Sequence, residues 1–345
     1  MRYSVEDLTE ICVRLLKALN ATLEEANIIA SQLIEANLRG QDGHGVLMLP
    51  YYARQVLEGK FQLGVDINVI RETPSSAVIN GNWGFGQVIA SKAMELAISK
   101  AETQSISLVG IFNCNHIGLV AHYPMMALKH DMIGITLCNS GPQVAPYGGR
   151  VRKMGTNPIS IAIPSKKENP IVLDMATSIV AAGKVRAKSA QGKQTPNGWI
   201  IDGDGKPTVD PEIFLKGDRG EPGGGMLLPL GGYKGFGLSI IVDLLCGALM
   251  EAGCSSTDLP RGNGVVMSAI KINSFTALER FTERVDALIR SLKSTPTAPG
   301  YDEIFMPGEL EFRAYEERRK AGIEIDGQTW RNLESLAKEL DVHLG

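Results

Sequence analysis

No stretch of this 345-residue chain holds the roughly 20 consecutive apolar residues that a membrane-spanning helix needs. The longest candidate, residues 238–253, is interrupted by Asp243 and Glu251, so no membrane role is expected. A charge excess is lacking too. The net charge of −3 gives no electrostatic footing for nucleic acid or an anionic membrane surface. CxxC, HExxH and EF-hand spacings are absent, which argues against a structural metal. The five cysteines, Cys12, Cys114, Cys138, Cys246 and Cys254, are odd in number and scattered. They read as free thiols of a reducing, cytoplasmic compartment, not as a disulfide framework. The first residues carry Glu6, Asp7 and Glu10 on an amphipathic pattern, unlike a signal or transit peptide. No GxGxxG follows any predicted strand, so a dinucleotide, if bound, is held without the Rossmann fingerprint.

What is present is the composition of a globular protein, 44% apolar and 21% charged, in a chain long enough for two or more lobes. Ser4 and then Thr22 with Glu25 predict caps for two helices, Gly40 a stop, and Pro50 the first turn of a third helix. Strands are expected at 76–81, 107–112, 132–137, 158–163 and 170–174, and helices at 84–100 and up to about 130. Strand, helix and strand in succession argue for α/β architecture. Residues 183–229 read as loop-rich, with "GDRGEPGGG" (217–225) a flexible surface loop. Residues 238–250 read as a buried helix, 309–320 as a charged helix, and Asp326 as a cap for the last. The lobes are expected to interleave within one unit, 1–345, in which residues 1–70 are helical, residues 71–300 form a mixed-sheet region and residues 301–345 are helical again.

Four polar constellations stand out. In "QDGHGVLMLP" (41–50), His44 lies between glycines that permit close approach, and imidazole changes charge near neutral pH. In "NCNHIG" (113–118), His116 sits where a strand is expected to end and a helix to begin, a place that collects ligands and anions; a helix cap is the plain alternative. Asn139 and Ser140 end the next strand, and a simple turn explains them equally well. "MGTNP" (154–158) and "LDMATS" (173–178) bring Thr156 and Asp174. That carboxylate could orient an imidazole, bond a ribose hydroxyl or cap a helix. "GGYKGFG" (231–237) frames Lys234 before a helix, as for a phosphate, without Walker A spacing.

Taken in order, "GHGV", "NCNHIG", "PYGG…MGTNP", "LDMATS", "GYKGFG" and "MPGE" (306–309) resemble the type-2 malate/L-lactate dehydrogenase family across nearly the whole chain. The segments 43–62 and 81–94 are most similar to its hydroxycarboxylate dehydrogenase B branch. The resemblance implies an α/β fold with an unusual non-Rossmann nicotinamide-binding sheet and interleaved helical lobes. It implies NAD or NADP as cofactor, a 2-hydroxy or 2-oxo acid as substrate, and a homodimer. By the same resemblance, His116 matches a proton acceptor and cofactor contact, and His44 a proton donor. Ser140, Asp174, Met175, Ala176, Lys234, Pro307 and Gly308 match cofactor contacts, and Thr156 a substrate contact. Two positions depart from the family pattern. Gly43 stands where a relay serine is common, and Met48 where small-carboxylate binders often carry arginine. Methionine cannot pair with a carboxylate but can pack against an apolar side chain, and Leu47, Met48 and Leu49 read equally well as core.

The resulting expectation is a pocket with His44 on one wall and His116 on another, one of them moving the proton while a hydride passes between C2 and nicotinamide. The alternatives are a cyclic imino acid reductase and a non-catalytic dinucleotide-binding protein.

Overall fold

In the computed structural model, residues 2–257 and 262–344 are described. A short strand, β1 (Arg2–Tyr3), leads into α1 (Val5–Ala18) and α2 (Leu23–Leu38). Ser4 accepts the Asp7 amide, and Thr22 with Glu25 closes a reciprocal capping box; each such cap stabilises by about 1 kcal/mol. The chain turns at Gly40, where φ is 74°. It then makes two 3₁₀ turns, Asp42–His44 and Val46–Met48, and enters α3 (Leu49–Leu57).

The sheet region follows: β2 (Asn68–Glu72), β3 (Ser76–Asn80), α4 (Gly86–Gln104), β4 (Leu108–Cys114), α5 (His122–Leu128), β5 (Met132–Cys138), β6 (Ile159–Ile163) and β7 (Ile171–Met175). A smaller lobe holds α6 (Ala182–Ala190), β8 (Ile200–Ile201), β9 (Pro207–Thr208), α7 (Pro211–Asp218) and β10 (Met226–Leu227). The chain closes with α8 (Tyr233–Asp243), β11 (Asn263–Lys271), α9 (Leu278–Lys293), α10 (Glu309–Ala321), β12 (Ile323–Glu324) and α11 (Gly327–Glu339). The two chain ends meet in one core: Leu8, Leu15, Leu33 and Tyr52 pack with Ile323 and Leu333.

The main sheet has seven strands in the order β2-β3-β4-β11-β5-β6-β7. Only the β3–β4 pair is parallel, with α4 as its crossover. The β4–α5–β5 succession is present, but its two strands are not neighbours. β11 inserts between them, antiparallel to both. Its run "NGVVMSAIK" is buried over most of its length, the signature of a central strand. The sheet is thus mixed, and the ends of β4 and β5 flank the start of β11.

Three expectations are corrected, two of them in part. Residues 183–229 carry α6, α7 and a three-stranded sheet in the order β10-β8-β9, around a core with Val144, Phe214 and Leu227. The "GDRGEPGGG" segment is an exposed surface turn at 219–223, as expected, but it is anchored at both ends. Gly217 and Asp218 belong to α7, and the Gly225 carbonyl accepts Arg152 Nε at 2.8 Å. Residues 238–250 are helical over most of their length but buried on one face alone. α8 begins at Tyr233 and passes into a π-turn, Leu244–Ala248, leaving Ile241 55% and Leu249 59% exposed.

Candidate active site

β4 ends at Cys114 and α5 begins only at His122. His116 therefore stands in a loop between them and not at a helix N-terminus. Asn113 and Gly118, with φ of 49° and 71°, bend the chain out of regular structure on both sides of it. His44 closes the first 3₁₀ turn. The two rings lie nearly parallel, 9° between planes and 5.8 Å between centroids. A flat ligand between parallel rings needs about 7 Å, two carbon contact distances. The imidazoles therefore form one wall of the site rather than two opposing walls.

His116 is oriented from behind. Its Nδ1 lies 2.8 Å from the Tyr52 hydroxyl, which in turn receives Gln87 Nε2 at 2.9 Å. Tyr52 is fully buried, packed on the rings of Phe61 and Phe85. Burial, and then the neighbouring His44, push the His116 pKa down to about 3. Burial also lowers that of His44. Both rings are neutral at pH 7, so each has one ring nitrogen that donates and one that carries a free electron pair.

The two glycines around His44 have different reasons to be there. A Cβ on Gly45 would meet Asn37 Oδ1 at 2.3 Å. That oxygen accepts the Val46 amide at 2.8 Å, and Asn37 Nδ2 donates to Asp42 at 2.7 Å. Arg318 fixes the same Asp42 carboxylate from α10 at 2.7 Å. Gly45 is thus required for the approach of Asn37. A Cβ on Gly43 would meet nothing within 4 Å, and its φ is not left-handed. Gly43→Ser is therefore expected to change stability by no more than about 0.5 kcal/mol, checked by thermal unfolding; a large loss would show a constraint on this loop.

The loop after β5 forms the next portion of the site. Ser140 Oγ accepts the Thr156 amide at 3.1 Å and lies 3.3 Å from the Thr156 hydroxyl. Thr177 N donates to the Thr156 carbonyl at 2.8 Å, which ties the end of β7 to the same cluster. Asn263 joins this cluster to the histidines. Its Oδ1 accepts the Ile117 amide at 3.3 Å and its Nδ2 donates to the Asn139 carbonyl at 2.7 Å. Because β11 separates β4 from β5, the two loops lie roughly 10 Å apart, two strand spacings.

Asp174 and Met175 are the last residues of β7, with Ala176 just beyond. Asp174 lines a cavity of about 150 Å³ with Arg39, Gln41, Pro307, Gly308 and Glu311. The Asp174 residue is open to that cavity, while the protein packed around it and then Glu311 push its pKa upward against a hydrogen bond from the Ala121 backbone. No hydrogen bond joins it to either imidazole among the described residues. The Pro307 carbonyl accepts the Val172 amide at 3.0 Å, and a Cβ on Gly308, where φ is 87°, would meet Val172 Cβ at 2.9 Å. This turn is therefore held against the edge strand. Lys234 lies in the first turn of α8, behind Gly231 and Gly232 at φ of 57° and 65°. It is exposed, with no ion pair among the described residues. Met48 packs against the N-terminal core.

Tyr52, Gln87 and Asn263 are the residues that local patterns miss. Tyr52 follows Pro50 by two positions in an apolar helix face, the only hint that it carries. The pieces assembled here come from distant segments in the order of the motifs quoted above. A sequence profile of the malate/L-lactate dehydrogenase family matches residues 3–334. The chain is 37% identical over 351 residues to the L-sulfolactate dehydrogenase of Methanothermobacter thermautotrophicus, covering 100% of this chain and 98% of that protein. It is 39% identical over 348 residues to the malate dehydrogenase of Pyrococcus abyssi, covering 99% and 96%. Its fold matches that of the sulfolactate dehydrogenase from Methanocaldococcus jannaschii with a TM-score of 0.90 at 35% identity, covering 100% and 98%. With the family profile matched over residues 3–334 and these relatives aligned over 99–100% of its length, the chain belongs to the malate/L-lactate dehydrogenase family.

Proposed function

We propose that the chain interconverts a 2-hydroxy acid and its 2-oxo acid with NAD or NADP, His116 moving the hydroxyl proton and His44 binding beside it. The observation that carries this reading is the neutral His116 ring fixed through Nδ1 by a buried phenol, beside a second neutral imidazole. One imidazole anchored on one nitrogen leaves the other for a substrate proton, and such transfer contributes about 10²–10⁴-fold. Malate and sulfolactate, the substrates in the relatives' names, are both 2-hydroxy acids.

The residues fit a dinucleotide. The edge-strand cavity is below the few hundred Å³ of a whole-ligand site, so it suits one sugar or ring of the cofactor, with the open Asp174 carboxylate as acceptor for hydroxyls. Lys234 and the first amides of α8 suit a phosphate. The same reading assigns Ser140, Met175 and Ala176 to the cofactor and Thr156 to the substrate, on the support of the Ser140–Thr156 contact and of the position of Met175 at the end of β7. Bound there, the nicotinamide supplies the hydride chemistry; the chain orients the substrate and handles the proton.

The test is oxidation of NADH and NADPH against pyruvate, oxaloacetate, 2-oxoglutarate, phenylpyruvate and a cyclic imino acid. Turnover of a linear 2-oxo acid is expected. Turnover of the imino acid alone would move the chain to imine reduction, and cofactor binding without any turnover would make it a dinucleotide-binding protein. Lys234→Ala is expected to raise the cofactor KM about tenfold, the loss of one charge-assisted contact, with kcat little changed. An unchanged cofactor KM would remove Lys234 from the phosphate site.

A homodimer belongs to the same proposal. Leu238 and Ile241 of α8, Leu244 of the π-turn and Leu249 just after it are 41–59% exposed, apolar surface that self-association covers. Light scattering behind size exclusion checks it, with Ile241→Asp expected to shift the parent dimer toward monomer.

A further inference from the structure

The hydrogen-bond chain behind His116 has an open end. Gln87 is fully buried, and its Oε1 meets no partner among the described residues, while its Nε2 donates to the Tyr52 hydroxyl at 2.9 Å. An amide presents a donor and an acceptor of nearly equal shape, so a half-turn of the amide brings Oε1 to the same phenol. We propose that Gln87 and Tyr52 are positioning residues that set which nitrogen of His116 carries the proton. This rests on the proton-transfer reading of His116.

Two arrangements follow from donor and acceptor counting. In the first, Gln87 N–H donates to the Tyr52 oxygen, and Tyr52 O–H donates to His116 Nδ1. The imidazole proton then lies on Nε2, and His116 donates to the oxygen of a 2-oxo acid. In the second, the amide is turned. Tyr52 O–H donates to Gln87 Oε1, and the Tyr52 oxygen accepts His116 Nδ1–H. Nε2 then has a free electron pair and takes the hydroxyl proton of a 2-hydroxy acid, which gives an imidazolium whose Nδ1–H is already partnered. Passage between them turns one hydroxyl and one amide and moves one proton between the two ring nitrogens by exchange with the substrate or solvent. The phenol itself stays protonated, because burial raises its pKa well above the usual value. Among the described residues, His44 and Tyr52 are the titratable groups against His116; Tyr51, 5.8 Å from Tyr52 between ring centres, and the buried Tyr123 phenol are the further ones beside Tyr52.

The experiment reads the tautomer directly, by ¹⁵N NMR of histidine-labelled protein without cofactor or substrate. Gln87→Glu places an acceptor-only carboxylate behind the phenol and is expected to shift His116 to the Nδ1–H form. Gln87→Met removes both polar ends and is expected to fix the Nε2–H form. Tyr52→Phe is expected to erase the difference between the two Gln87 variants. Kinetics supply the second readout. Tyr52→Phe should lower kcat about tenfold to a hundredfold and move the acidic limb of hydroxy-acid oxidation to lower pH, because the imidazolium loses its Nδ1 acceptor. Gln87→Glu should move that limb to higher pH. kcat/KM must fall equally in both directions at fixed pH, since the overall equilibrium is unchanged. Circular dichroism and thermal unfolding establish that each variant folds, and Gln87→Met tests the proposal if the buried glutamate does not.

A folded Tyr52→Phe with the parent's ring-nitrogen shifts and pH profile overturns the inference. The underlying reading fails separately: if His116→Ala turns over normally, proton transfer by His116 falls. The tautomer shifts still decide whether Gln87 and Tyr52 govern the ring.

Discussion

His116→Ala is expected to lower turnover by about 10²–10⁴-fold with cofactor affinity within a few-fold of the parent. The Tyr52 hydroxyl holds Nδ1 of this ring at 2.8 Å, so the imidazole is fixed in plane before any ligand arrives. His44 has no ring hydrogen bond among the described residues, and its position rests on the Asn37–Asp42–Arg318 framework of its loop. An oriented base contributes more than an unoriented one, so His44→Ala should cost less than His116→Ala. The reverse order, measured as kcat under saturating cofactor, would assign the proton to His44. Cofactor affinity is predicted to survive because Asp174, Lys234 and the Pro307–Gly308 turn belong to other segments.

The same ring has a signature in stability. Its folded pKa of about 3 lies below the unfolded value of about 6.5. As pH falls through 6.5, the unfolded chain takes a proton on this ring that the folded chain refuses until about 3. Stability is therefore lost between those limits as the solution becomes more acidic. His44 acts in the same direction, since burial lowers its pKa too. Denaturant unfolding at a series of pH values should show a shallower acid slope for His116→Ala than for the parent. A slope equal to the parent's would mean that the ring titrates alike in both states.

Much of this was legible in the residues, and what was not follows a pattern. Capping residues speak locally: Ser4, Thr22 with Glu25, and Asp326 each bond an amide two or three positions ahead, so their spacing alone identifies them. The expected strands and helices up to β7 are likewise runs of one periodicity. His44 and His116 drew attention because glycine and asparagine flank them. Pairing across the sheet leaves no such local trace. β11 enters the sheet between strands that precede it by more than a hundred residues, and Asn263 bonds the Ile117 amide across 146 positions. Gln87 reads as one polar residue in a helix, yet it is buried because that helix lies over the His116 loop. Ile241 and Leu249 look like core by composition, and only the packing of the chain shows that nothing in it covers them.

Gly86→Ala is expected to damage the site from outside it. Gly86 opens α4, and a Cβ there would lie 2.2 Å from the Asn115 carbonyl oxygen and 2.4 Å from that of His116. Both obstacles are backbone, so no side chain can swing aside. The loop cannot retreat freely either. Asn115 Nδ2 donates to the Gly84 carbonyl at 3.0 Å, Trp83 N donates to the Asn113 carbonyl at 2.8 Å, and Asn263 holds Ile117 from the far side. The clash must therefore move His116 or strain the helix start. Overpacking of this kind costs about 1–3 kcal/mol, and a displacement near 1 Å at a reacting group costs about a hundredfold in rate. The expected result is a lowered Tm together with kcat/KM reduced about a hundredfold and nearly unchanged cofactor binding. Gly183→Ala is the control: it also lies in the first turn of a helix, with nothing within 4 Å of its Cβ, and should match the parent in both respects. If Gly86→Ala loses stability but keeps its turnover, the strain has gone into α4, and the His116 loop is held more firmly by Asn263 and Tyr52 than the helix is by its first residue.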